Sequence, residues 1–207
     1  YRINGKIATK NITPGIQVYN EKLIKIRKDE YRLWDIFRSK LAAAIVKGLK
    51  QVPIKPGSSV LYLGASTGTT VSHISDIVGP EGLIIAVEIA PSCMPSLIHL
   101  AEQRGNIIPI IDDANHPERY KITKVDLVYQ DIAQKNQVDI LLKNIKHHLK
   151  PGKHYMFCVK CQSIDVTRKP TDVYKEVLEQ LSKDTKIIQT LELTPYDKHH
   201  MFILGQV

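Results

Sequence analysis

Five short apolar runs, at 59–63, 83–87, 107–111, 125–129 and 154–159, constrain this chain more than any other feature. Each is continuously apolar rather than alternating, the pattern of a strand covered on both faces. Helix-like stretches stand between and after them, near 69–78, 92–103, 134–149 and 171–182. Strands covered on both faces and joined through helices run parallel, because a parallel neighbour is reached only by a long crossover. Two further runs, 186–193 and 200–205, flank Pro195 and a charged stretch and are expected to form a closing antiparallel pair. The sum is an α/β fold, a doubly wound, mostly parallel sheet of seven strands.

Residues 1–35 follow a different rule. Short β-like segments are broken at Asn4-Gly5, Pro14-Gly15, Asn20-Glu21 and Lys28-Asp29, which predicts a small antiparallel module ahead of a main domain over 36–207. Ser39 is placed to cap a helix running to about Leu49, with alanines at 42–44. At 207 residues and 43% hydrophobic, the chain has material for one well-cored domain and a small appendage. It contains no long apolar run of membrane-spanning length and no charged-then-apolar leader, so neither a span nor a secretory signal is predicted. It opens on Tyr1 rather than Met, which leaves room for a preceding segment. Three cysteines, Cys93, Cys158 and Cys161, suit a reducing compartment. The 29 Lys and Arg against 21 Asp and Glu give a formal charge of +8. Solubility alone accounts for such an excess; a polyanionic partner such as RNA is the sharper reading. No aromatic-rich stacking motif is present, so RNA contact would come from an electropositive surface.

Ligands of doubly wound sheets bind outside the carboxyl ends of the strands. After the first strand comes Gly64-Ala65-Ser66-Thr67-Gly68-Thr69-Thr70. The spacing G-x-x-x-G does not meet the dinucleotide fingerprint, and the Gly-Lys-Ser/Thr of a phosphate-gripping loop is absent. Turn geometry alone explains many such glycine pairs. The acids say more. Glu88 ends the second strand, 20 residues beyond Gly68; Asp112 and Asp113 follow the third, Asp131 the fourth, and Lys160 ends the fifth. A lone acid there is ordinarily a cap or a solvated turn. Four at consecutive strand ends make a crevice that repels phosphate and suits a ligand with a ribose, an ammonium and a sulfonium. S-adenosyl-L-methionine has all three.

The stretches "RSKLAAAI" (38–45), "PIKPGSSVLYLGASTGTTVSHISDIVG" (53–79), "NIIPIIDDANHPERY" (106–120), "VDLVYQDIAQKNQ" (125–137), "SIDVT" (163–167) and "PYDKHHMFILG" (195–205) together resemble the fibrillarin family, over essentially the whole chain. "GKIATKNITPGIQVYNEKLI" is similar to the short β module of archaeal members. The resemblance implies a Rossmann-like methyltransferase fold and 2′-O-methylation of rRNA or tRNA ribose with S-adenosyl-L-methionine. It implies a box C/D guide RNA and its target RNA as partners, with a Nop-family scaffold protein and a kink-turn-binding ribosomal-type protein, and no membrane. The implied location is the cytoplasm for an archaeal source and the nucleolus for a eukaryotic one. By motif, Gly64, Ala65, Gly68, Thr69 and Thr70 would approach the cofactor from the glycine loop. Glu88 and Ile89 would hold the ribose, Asp113 and Ala114 the adenine, and Asp131, Ile132, Ala133 and Gln134 the methionine end. The catalytic set falls on Lys40, Asp131, Lys160 and His200, and no metal is implied.

Those residue types fit the chemistry. A ribose hydroxyl is a poor nucleophile, and lysines beside carboxylates or other lysines can be tuned as bases. Departures from the family pattern leave His199 as a rival of His200, put Gln162 where archaeal relatives carry Arg, and leave Gln130 without explanation. Cys158 and Cys161 form C-x-x-C with no second pair, and strand alternation points them to opposite faces. His147-His148 is expected to face solvent at a helix C-terminus, and Asp165 to cap a turn. Two other functions stay open: a subunit that keeps the fold without catalysis, and a methyltransferase acting on a histone glutamine.

Overall fold

The computed structural model describes residues 1–207. The N-terminal module is a four-stranded antiparallel sheet of β1 (Arg2–Ile3), β2 (Lys6–Lys10), β3 (Leu23–Ile26) and β4 (Asp29–Leu33), in the order β1-β2-β4-β3. The main sheet follows: α1 (Lys40–Val46), β5 (Ser59–Leu63), α2 (Thr69–Val78), β6 (Leu83–Glu88), α3 (Met94–Arg104), β7 (Ile107–Ile111), β8 (Val125–Gln130), α4 (Gln137–His148), β9 (Leu149–Lys160), α5 (Cys161–Ile164), α6 (Pro170–Leu181), β10 (Lys186–Glu192) and β11 (His200–Gln206). Its order is β10-β11-β9-β8-β5-β6-β7, and only β11 runs against the others. No helix is long and apolar enough to cross a membrane.

Both faces of the sheet are covered over its central strands, as their continuous apolar runs require; the edge strand β7 departs from that expectation, with Ile108 and Ile111 exposed. Val60 and Tyr62 face one core with α1, α2 and α3; Leu61 and Leu63 face the other with α4 and α6. Ile7 and Trp34 of the N-terminal part join the first core, so the packing continues across the sheet boundary at residue 35. Beneath that joint lies a buried ionic cluster. Arg32, fully buried, donates to Glu21 at 2.5 Å and to Asp76 at 2.9 Å. Arg104 reaches the other oxygen of Asp76 at 2.7 Å, and the Thr9 hydroxyl donates to Asp76 at 2.6 Å.

Several expectations need correction. The helix near 92–103 starts as a 3-10 turn, Pro91–Cys93, before α3. The helix placed at 134–149 begins at Gln137, because Gln134 and Asn136 are tied by side-chain hydrogen bonds to Asn115. β9 runs straight out of α4 and is 12 residues long rather than beginning at 154. The helix drawn to Leu49 ends at Val46. The antiparallel pair forms, with β11 wedged between β9 and β10. His148 is buried rather than solvated, shares a hydrogen bond with the Pro117 carbonyl and stacks on Tyr120. Cys158 and Cys161 do pack into opposite cores, and Asp165 accepts from the Thr167 amide and hydroxyl.

His73 is fully buried at the joint, between Thr9 and Tyr19 and stacked on Trp34. Burial, then the Arg32 and Arg104 charges, push its pKa well below the ordinary value of 6.5. The unfolded chain takes up a proton there as pH falls through 6.5 and the folded chain does not, so this stabilisation is complete above 6.5 and shrinks below it. The slope is about 1.4 kcal/mol per pH unit while the folded ring stays neutral. His148 and His154 are also lowered by burial and act in the same direction. Urea unfolding at pH 7 and pH 5 should show lower stability at pH 5, and His73→Gln should reduce that difference.

Candidate active site

The strand order reverses between β5 and β8, and everything of interest lies at the carboxyl end of that seam. Gly64 has φ +82°, and a Cβ there would sit 2.3 Å from the Asp131 carbonyl oxygen. Gly68, at φ +91°, takes a left-handed conformation that a side chain would strain. Between them Ser66 takes a left-handed conformation, φ 50°, which turns its amide onto Glu88 Oε2 at 2.6 Å. The other oxygen of Glu88 accepts from the Ala90 amide at 2.8 Å. A crevice of about 320 Å³ opens here, lined by Gly64, Ser66, Glu88, Asp112, Asp131 and Gln134 among others. That volume lies at the small end of the range for small-molecule sites. Larger grooves exist beside Trp34 (about 580 Å³) and beside Tyr174 (about 700 Å³), but neither lies at the switch point.

The expected cofactor residues divide. Gly64, Glu88, Ile89, Ala114, Asp131, Ile132, Ala133 and Gln134 line the crevice. Ala65 is buried beneath it. Thr69 lines a neighbouring depression, and the buried Thr70 hydroxyl donates to Ser39 Oγ at 2.9 Å, fastening the start of α2 to the start of α1. Asp113 is occupied by its own turn, accepting from the Asn115 amide and side chain, while Asp112 is the acid that faces the crevice.

Beside the crevice, Lys40 begins α1 behind its cap Ser39. Its ammonium lies 3.0 Å from Asp131 Oδ2 and 3.6 Å from Asp197 Oδ2. A helix N-terminus and burial both disfavour a cation. Burial is the largest single effect on the Lys40 pKa and lowers it, but the charge and hydrogen bond of Asp131, with Cys158 and Asp197, together outweigh it, and the net shift is upward. Of the two states a lysine can take, Lys40 is therefore held as the ammonium. Lys160 and His200 are partners across β9 and β11, so their side chains leave the same face of the sheet. His200 Nδ1 lies 2.7 Å from Asp197 Oδ1, whereas His199 is exposed and left-handed at φ 62°. Of the two histidines, His200 is the one whose ring meets this cluster. The Lys160 ammonium enters none of the ion pairs of this cluster.

Three residues here were not foreseen. Asp197 bridges Lys40 and His200; its spacing of three residues from His200 was the available signal. Gln137, fully buried, brackets the Lys160 backbone, donating to its carbonyl at 2.9 Å and accepting from its amide at 3.0 Å. Gln130, unexplained in the sequence, donates to the Gln137 carbonyl at 2.7 Å and holds that bracket in place.

A profile of the Fibrillarin family matches residues 2–207. The chain belongs to the fibrillarin family. It is 53% identical over 197 residues to a fibrillarin-like rRNA/tRNA 2′-O-methyltransferase of Pyrococcus furiosus, spanning 94% of this chain and 87% of that one. Aeropyrum pernix fibrillarin, whose crystal structure holds natively bound S-adenosyl-L-methionine, superposes with a TM-score of 0.90 at 43% identity, covering 97% of this chain and 88% of that one. A fibrillarin in complex with Nop5p gives 0.92 at 42% identity, covering 99% and 95%. The strand order, the reversed β11 and the N-terminal sheet are therefore those of a fibrillarin.

The crevice fits a nucleoside-bearing cation. Glu88 keeps acceptor capacity after binding two amides, enough for two vicinal hydroxyls. Glu88→Ala should weaken S-adenosyl-L-methionine binding to the purified chain by about 1.5–3 kcal/mol, the worth of a charge-assisted hydrogen bond. Calorimetry showing parental affinity would remove Glu88 from the site.

Proposed function

We propose that this chain methylates ribose 2′-hydroxyls of rRNA and tRNA with S-adenosyl-L-methionine, as the catalytic subunit of a guide-RNA box C/D ribonucleoprotein. The observation that carries this reading is the meeting, at one switch point, of the Glu88 crevice with the Lys40–Asp131 ion pair. Family membership narrows the acceptor, since relatives at about half identity bear the name rRNA/tRNA 2′-O-methyltransferase. On the same reading the protein works in the cytoplasm of an archaeal-type cell.

When bound, the cofactor supplies an electrophilic methyl carbon on its sulfonium. This chain supplies the rest. Glu88 would accept from the ribose of the cofactor, and the stretch Asp131–Gln134 would border its methionine end. Gly64 keeps the crevice floor open. Asp131 is fixed between crevice and acceptor by Lys40, whose positive charge is balanced and therefore stays put. Methyl transfer is an in-line displacement, so most of the acceleration comes from such positioning. Lys160, rigid in its backbone through Gln137 and free of carboxylate partners, is the cation available to RNA phosphate and to charge developing on the attacking oxygen.

The Nop-family protein is the partner best supported, through the likeness to a fibrillarin–Nop5p complex. Guide RNA and a kink-turn-binding protein complete the proposed particle. The chain needs them because a charge of +8 spread over 207 residues gives only salt-sensitive attraction without base reading.

Labelled cofactor, a guided target and the chain alone should give little methyl transfer; adding the three partners should give robust transfer at one ribose. Site-specific methylation by the isolated chain would make it a stand-alone enzyme instead. In the reconstituted particle, Lys160→Ala should lower the single-turnover rate by roughly a hundredfold, within the range of one electrostatic contact to a developing oxyanion, while the unfolding midpoint stays near the parent's. A parental rate would take Lys160 out of the catalytic set.

A further inference from the structure

Asp197 joins two members of the reactive cluster that the sequence leaves unconnected. The turn Leu193–Asp197 places it: the Leu193 carbonyl accepts from the amides of both Tyr196 and Asp197. From there its Oδ2 lies 3.6 Å from Lys40 Nζ, and its Oδ1 lies 2.7 Å from His200 Nδ1. The Lys198 carbonyl oxygen stands 2.9 Å from the same nitrogen. A carbonyl has no proton to give. Burial disfavours the Asp197 carboxylate, but the His200 hydrogen bond and the Lys40 charge hold its pKa below the ordinary range, so it too is an acceptor. Two acceptors on one ring nitrogen require that Nδ1 carry the hydrogen.

The neutral ring then has its lone pair on Nε2. That atom is buried and has no hydrogen-bond partner within the chain. A buried, unpaired acceptor is costly unless something arrives to donate to it. Lys40 is committed as an ammonium between two carboxylates, and Asp131, a weaker base than imidazole, is held by that ammonium through Oδ2. The remaining orphan acceptor nearby, Gln130 Oε1, is a neutral amide and not a base.

We propose that Asp197 is the positioning residue of this site: with the Lys198 carbonyl it fixes His200 in the Nδ1–H tautomer, so that Nε2 receives the proton of the ribose 2′-hydroxyl. The identity of the hydroxyl rests on the ribose methyltransferase reading; the tautomer does not. The proton leaves the attacking oxygen for Nε2, and the ring becomes an imidazolium whose Nδ1–H still faces the Asp197 carboxylate. Asp197 thus acts through His200 in two ways, by orientation before the transfer and by charge after it. Its second contact, with Lys40, keeps its own side chain from turning toward solvent.

Two measurements test this. Long-range proton–nitrogen correlation spectra of the ¹⁵N-labelled chain, taken at alkaline pH where the ring is neutral, should show His200 with hydrogen on Nδ1. In Asp197→Asn the new amide can donate to Nδ1 in competition with the Lys198 carbonyl, and the share of hydrogen on Nε2 should rise. In the reconstituted particle, Asp197→Asn should slow single-turnover methyl transfer by about a hundredfold or more, the scale of a lost general base. Target-RNA KM, cofactor affinity and unfolding midpoint should stay near the parent's, and Asp197→Glu should recover most of the rate. A parent spectrum with hydrogen on Nε2, or an Asp197→Asn particle at the parental rate, would overturn the proposal. A parent particle that methylates no ribose would overturn the proton-acceptor half along with the ribose reading, while the spectra would still decide what Asp197 does to His200.

Discussion

The Asp131 carbonyl lies where a side chain on residue 64 would have to stand, and the rest of the site depends on that contact. β5 and β8 are neighbours in the sheet, and their chains leave its edge in opposite directions. Only a glycine lets the two backbones separate so late. Because they separate late, the Asp131 side chain emerges at the seam itself, within reach of Lys40 on one side and of the crevice on the other. A Cβ at residue 64 would force the 131–134 loop outward and part the acid from its lysine. The Asp131 amide, bonded to the Leu63 carbonyl at 2.9 Å, ties the same two chains once more.

Charge is placed around this seam with a division of labour. Glu88 is spent partly on backbone amides, which fixes its orientation without neutralising it. Asp131 and Asp197 are spent on Lys40, which turns a titratable amine into a permanent cation. Lys160 is positioned through its backbone by buried amides, so its ammonium stays uncommitted. Fixed dipoles and paired charges of this kind need no reorganisation when charge develops in a reaction, which is where enzymes gain most. The buried carboxamides of Gln130 and Gln137 suit that purpose because they donate and accept without carrying charge of their own.

The N-terminal sheet is held by another economy. Asp76 on α2 receives Thr9, the Ile12 amide, Arg32 and Arg104, so one carboxylate of the main domain anchors two strands of the small sheet. Removing a single partner from such a buried cluster strands the others, at a cost of about 3–5 kcal/mol. Trp34, stacked on His73 in the shared core, leads directly into the segment that presents Ser39 and Lys40. The small sheet therefore sets where α1 begins, and α1 sets where the Lys40 ammonium lies. The β module at the front of the chain is part of the scaffold of the site.

The continuous apolar runs and the turn residues between them determined the elements, their order and the parallel character of the sheet, because burial on both faces leaves one pattern and no other. The acids at 88, 112, 113 and 131 were visible at strand ends for the same reason: strand ends follow directly from where apolar runs stop. What the sequence could not hold is any relation between residues far apart in the chain. That β11 lies between β9 and β10, and so brings His200 opposite Lys160, depends on sheet pairing. That Asp112 rather than Asp113 faces the crevice depends on which one the Asn115 turn captures. Thr70, Gln130 and Gln137 turned out to position other residues, because their partners come from distant segments. The protonation of Lys40 is open in the sequence because the residue type permits either state. Only the packing that sets two carboxylates within 4 Å of its nitrogen, at 3.0 and 3.6 Å, decided between them.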